Sequence, residues 1–124
     1  MDKPIKLPGP DHVITITPSP SHVVVTHAGR VIADTTGALL LREANHDDVL
    51  YIPRSDVTMS LLERTSHSSY CPYKGDAAYF SIVTDTTRAE NAVWTYEAPY
   101  PAVAAIKAFV AFYPDRVHAI DVSP

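Results

Sequence analysis

The chain has 124 residues, 46% of them hydrophobic and 19% charged, with a net charge of −4 at pH 7. That length suits one domain whose core can form without metal or disulfide staples, and the composition is not that of a disordered chain. Its single cysteine excludes an internal disulfide, and scattered basic residues offer no cluster with which to displace counterions from nucleic acid.

In chain order, residues 1–21 read as an extended N-terminal arm carrying a short strand, and 22–124 as a single β-rich domain. In "HVITIT", Ile14 and Ile16 share one face, and the prolines on either side suit a sheet edge. "HVVVTHAGRVIADT" reads as a hairpin, two β-branched runs meeting at Ala28-Gly29. "GALLLREA" fits a short helix or a strand equally, and "VLYIP" a strand stopped by proline. "SDVTMSLLE" carries a helix-start signal in which Ser55 or Asp56 supplies the cap. "DAAYFSIVT" and "NAVWTYE" are the clearest strands, the second placing Trp94 and Tyr96 on one face. "PAVAAIKAFVAFY" starts helically at Pro101 and ends as a strand, and "RVHAIDV" closes the sheet. Eleven prolines leave few windows long enough for a helix. No apolar run approaches the length needed to span a bilayer, and "MDKPIKLPGPDH" has no apolar signal core, so a cytoplasmic, membrane-free protein is expected.

The chemistry concentrates in "SSYCPYKGDAAYF". Pro72 and Gly75 are explained by turn chemistry alone; Cys71, Tyr73 and Lys74 are not. Lys74 is either a solvated charge at a turn tip or an amine held against the aromatic faces of Trp94 and Tyr96. In the second setting it could act as a base or nucleophile, or bind an anionic group. Cys71 is either a small buried hydrophobe or a nucleophile served by His67, which requires the strand to bend between them. Six histidines at 12, 22, 27, 46, 67 and 118 show no close zinc-ligand spacing, so no metal and no cofactor is expected. "ANHDDV" reads as a solvated loop, and Asp115-Arg116 as a turn with a local ion pair.

"PGPDH", "RVIADT", "ALLLREA", "YIPRSDV", "NAVWTYEAPY" and "AFYPDRVHAI", with the "YCPYKGDAAYFSI" loop, resemble the family numbered four-two-seven among the domains of unknown function, collinearly over nearly the whole chain. Its most specific elements here are Cys71 to Gly75, Trp94 to Tyr96 and Phe112 to Val117. The resemblance implies a mainly β, compact antiparallel domain of the β-tent kind: two sheets leaning together, with one or two short helices. Similar folds in the ligand-binding domain of cereblon and in methionine-R-sulfoxide reductases are pinned by four-cysteine zinc, which one cysteine cannot supply. The family's nucleotidyltransferase-like label finds no glycine-rich phosphate loop or paired metal-binding carboxylates in this sequence.

The leading expectation is a pocket lined by Tyr73, Lys74, Trp94 and Tyr96 that binds a small polar or anionic molecule, with Lys74 and Cys71 the candidates if it is a metal-independent enzyme. Its alternatives are a module that pairs its sheet edge near Val13 to Thr17 with a peptide, a protein or a second copy, and the nucleotidyl transfer of the family label.

Overall fold

The computed structural model describes residues 3–124; Met1 and Asp2, where the expected arm begins, lie outside the described residues. Ten strands and four short 3-10 segments make up the regular structure of the described residues, so the domain is mainly β. Three antiparallel ladders result. The first holds β1 (Ile14–Pro18), β4 (Leu39–Glu43) and β5 (Val49–Tyr51), in the order β1-β4-β5. The second holds β2 (His22–His27), β3 (Arg30–Thr35) and β10 (Ala119–Ser123), with β2 in the middle. The third runs in chain order through β6 (Leu62–Cys71), β7 (Gly75–Val83), β8 (Arg88–Thr95) and β9 (Val110–Phe112). Ile52 and Val110 exchange two backbone hydrogen bonds of 2.7 and 2.9 Å and join the first ladder to the third. That bridge makes β5 and β9 neighbours across the two ladders.

Local sequence accounts for most of this. The β2–β3 hairpin turns through Ala28 (φ 51°) and Gly29 (φ 72°), the two positive φ values that match the twist of a tight hairpin. "GALLLREA" resolves as a strand because β4 has partners on both sides, Leu41 lying opposite Ile16 on β1 and Val49 on β5. The helix-start signal at Ser55-Asp56 produces only 3-10 turns at Arg54–Asp56 and Met59–Leu61, and neither has a side-chain cap. Asp56 instead accepts a 2.7 Å hydrogen bond from Thr35. The segment from Pro101 does begin as a 3-10 turn, Pro101–Ile106, before β9.

Strand alternation divides the core. Phe80 and Ile82 on β7, Val93 on β8, and Val110 and Phe112 on β9 pack with Val23, Val25 and Ile32 of the second ladder. On the opposite face, Ala77 and Tyr79 of β7 and Ala111 of β9 pack with Leu41, Tyr51, Tyr96, Val103 and Ile106. Period two sends neighbours to opposite sides, so the third ladder is covered on both. The second face carries the site. No helix among the described residues is long and apolar enough to cross a membrane.

Candidate functional site

On β4 the inward positions run Leu39, Leu41, Glu43, and the third of them is charged. Glu43 therefore projects over the same face as Tyr51 on β5, Tyr79 on β7 and Trp94 on β8. With Tyr96, Tyr113, His46, Asp47 and Lys74 these side chains enclose a cavity of about 360 Å³. A second cavity of about 430 Å³ lies beyond Trp94, bounded mainly by aliphatic and aromatic groups such as Val23, Val25, Ile52 and Phe112. Only the first brings a buried ion pair and several hydroxyls to bear on one space, and the site is assigned there.

The "CPYKG" turn delivers the cation. Lys74 N–H donates to Cys71 O at 3.2 Å, and Lys74 O accepts from Tyr100 N–H at 3.0 Å, so the backbone is clamped on both sides. Gly75 has φ 108°, a conformation costly for any other residue. The side chain of Lys74 turns inward from this clamp. Its Nζ lies 2.5 Å from Glu43 Oε1 and 3.8 Å from Cys71 Sγ. The two charged side chains are only 10% and 7% exposed.

The other carboxylate oxygen is also occupied. His12 Nε2 lies 2.6 Å from Glu43 Oε2, and since a carboxylate only accepts, that nitrogen carries the proton. Tyr73 stacks flat on the His12 ring at 4.0 Å and 5°. His46 N–H donates to Glu43 O in a turn through Asn45 (φ 64°), which brings His46 Nε2 to 3.8 Å from Glu43 Oε2. Burial by itself would raise the Glu43 pKa. The hydrogen bonds from Lys74 and His12 outweigh burial and hold the carboxyl below its ordinary range, so it stays ionised.

The aromatic walls are hydrogen-bonded in chains. Trp94 Nε1–H donates to Tyr51 Oη at 3.2 Å, and the indole packs against the Tyr113 ring at 4.4 Å. Tyr79 Oη lies 2.8 Å from Ser69 Oγ and 3.4 Å from Tyr113 Oη. Burial pushes the phenols of Tyr51 and Tyr96 upward, and burial with the Tyr79 hydroxyl pushes Tyr113 up to about 12, so all three remain neutral donors. Lys74 spends one N–H on Glu43 and points another at sulfur. Among the described residues the Tyr96 hydroxyl has no hydrogen-bond partner, although it lines the cavity.

Lys74, Trp94 and Tyr96 thus share one cavity, as the sequence suggests, but with different contacts. Lys74 is neither a solvated turn tip nor a cation on an aromatic face; its ammonium sits on Glu43. Tyr73 lies outside the cavity wall and supports His12. Cys71 lies near Lys74 Nζ, while His67, in the bulged part of β6, packs edge-on to Tyr79 at 4.4 Å, so the suggested Cys71–His67 pairing does not form. Arg116 likewise makes no ion pair with Asp115: its guanidinium bonds Asn91 O and lies over the Tyr113 ring. Spacing gave no hint of His12, Glu43 and His46 meeting. Once β4 is known to be a strand, its alternation points Glu43 inward; nothing in the sequence pairs Glu43 with Lys74.

Fold and site together define a small antiparallel β domain with a buried ion pair beneath an aromatic cavity. The chain belongs to the family described as Domain of unknown function (DUF427), labelled NTP_transf_9, whose model matches residues 15–123. Glu43, Lys74, Trp94 and Tyr96 fall inside that match, and His12 just before it. No curated protein matches the chain.

Proposed function

We propose that this domain binds a small polar molecule, with a flat or apolar part against Trp94 and Tyr113 and a head group at Lys74 and Glu43. The observation that carries this reading is the buried Lys74–Glu43 pair at the edge of a cavity with hydrogen-bonding capacity to spare. Burying two charges is costly, and an apolar pair of similar volume would often serve stability as well. Retaining the pair where a cavity meets it suits recognition better than packing. Because Glu43 already neutralises Lys74, the ligand meets a donor beside an acceptor. A head group offering both fits that surface better than a bare anion.

A small-molecule thermal-shift screen tests this reading, with each hit titrated against Tyr96→Phe and the control Lys107→Met. Tyr96→Phe removes only a hydroxyl that has no partner among the described residues, so the fold should be unaffected. Loss of one ligand hydrogen bond of about 1 kcal/mol should weaken binding about fivefold. A saturable hit indifferent to Tyr96→Phe and to Lys74→Met would remove the site from this cavity. A shift that needs both magnesium and a nucleotide would favour the nucleotidyl transfer of the family label.

A second reading has its own support. β1 is an edge strand, and Ile5, Leu7 and Val13 are exposed close to it in sequence, at 63%, 81% and 50%. An extended peptide or second copy could add to that edge. Lysine at the exposed Thr15 would separate the readings, since a charge on the edge strand disfavours strand addition and leaves the cavity intact.

A further inference from the structure

We propose that His12, Glu43 and His46 form a site for a divalent first-row transition metal at the mouth of the cavity. The three come from two segments, the turn before β1 and the end of β4 with the turn that follows it, and their ligand atoms all lie within 4.8 Å of one another. In a tetrahedral zinc site, ligands about 2.0–2.2 Å from the ion stand roughly 3.3 Å apart, so closure asks for shifts of about an ångström. Their placement suits that. The His12 ring is held by Tyr73, and a Gly9–His12 backbone bridge fixes its turn. His46, 59% exposed, is free to swing the remaining distance.

The division of labour on the carboxylate is the second reason. Lys74 holds Oε1, whereas both imidazoles face Oε2. A metal at Oε2 would then keep Lys74 as the outer partner that fixes the carboxylate's orientation, as ligand supports commonly do. His12 Nε2 would give up its proton to become a ligand. Two imidazoles and one carboxylate favour Zn²⁺, Co²⁺ or Fe²⁺ over Mg²⁺ or Ca²⁺, which take oxygen. Three protein ligands leave one position open, and Glu43 and His46 line the cavity, so that position faces the same space. The Lys74 charge opposes a dication and Asp47 at the cavity wall favours one, so the binding expected is reversible, unlike that of a closed structural site. This inference goes beyond the small-molecule reading and does not require it.

The test uses the metal alone. Chelator-stripped protein is titrated with Co²⁺ and followed by its visible absorption, and then with Zn²⁺ by calorimetry. One saturating equivalent is expected, with His46→Ala and His12→Ala each weakening it about tenfold or more. His22→Ala is the control, an exposed histidine paired with Asp34 elsewhere on the surface. His46 is exposed enough that its loss should leave the urea midpoint unchanged, which keeps the result readable if His12→Ala folds poorly. Absence of saturable uptake, uptake unchanged in His46→Ala, or uptake lost in His22→Ala would each overturn the proposal.

Discussion

Replacing Lys74 by Met keeps the length and apolar stem of the side chain and deletes the ammonium from a pair in which both members are at least nine-tenths buried. Breaking a buried pair from one side typically costs about 3–5 kcal/mol, because the other charge stays behind without its partner. Two features reduce that here. His12 still holds Oε2 of Glu43, and the cavity offers water a route to the freed oxygen. The expected loss is about 2–4 kcal/mol, or about 8–16 °C in Tm at roughly 4 °C per kcal/mol for a domain of this size. Urea unfolding of the parent, Lys74→Met, Glu43→Gln and the double variant supplies the cycle. Glu43→Gln leaves the ammonium unpaired and should also destabilise, whereas the double variant removes both charges and should recover at least half of the Lys74→Met loss. If Lys74→Met unfolds within about 0.5 kcal/mol of the parent, as a surface substitution would, and the cycle shows no coupling, the pair is not formed in solution.

Three other outcomes are expected. Trp94→Ala removes a half-buried indole bonded to Tyr51 and packed on Tyr113, and should cost about 3 kcal/mol in urea unfolding; a parent indole with fully solvated emission would contradict that. Tyr51→Phe strips the acceptor from Trp94 Nε1–H and should cost about 1 kcal/mol, measurable as a shift in urea midpoint at constant m-value. His27 is buried, with Nδ1 unpartnered among the described residues; burial, and then the neighbouring His118, hold its pKa below the ordinary 6.5. The unfolded chain therefore binds a proton that the fold resists, so this contribution is full above pH 6.5 and falls as pH drops through and below that value. Between about pH 7.5 and 5, His27→Phe should show a flatter stability profile than the parent, and equal slopes would refute the assignment.

Strands with period-two alternation and residue-specific turns were legible from the sequence. Ala28-Gly29, Pro53, Pro101 and the "DAAYF" and "NAVWT" runs each carry a local signal that the fold obeys. β6 is the counterexample. "LERTSHSSYC" is polar along most of its length, because it is an outer strand with a bulge between Arg64 and Ser68, and it forms by pairing with β7 rather than by a buried face of its own. The helix-start signal at Ser55-Asp56 failed because Thr35, far off in sequence, takes up Asp56. For the site, the sequence marked the "CPYKG" turn and the Trp94–Tyr96 face, both local features. It could not show Glu43, whose role depends on which strand lies beside which. Charge pairing across ladders leaves no trace in spacing.

That dependence on topology explains what the pair does for the fold. Glu43 belongs to the first ladder and Lys74 to the turn between β6 and β7 of the third, and backbone hydrogen bonds join those ladders mainly through Ile52 and Val110. The Lys74–Glu43 ion pair is a second tie between them. Lys6 N–H bonding Pro72 O and Tyr70 Oη bonding Pro4 O strap the N-terminal segment over the same turn. His12, next along that segment, then reaches Glu43 from the other side. Lys74, Glu43 and His12 are therefore held by contacts between segments distant in the chain. A rigid clamp for Lys74, an imidazole braced on Tyr73 and a carboxylate held at both oxygens fix these three groups in place. Preorganisation of that kind lowers the ordering cost of binding. It also gives a reason for an ion pair where hydrophobic packing alone would have closed the two ladders together.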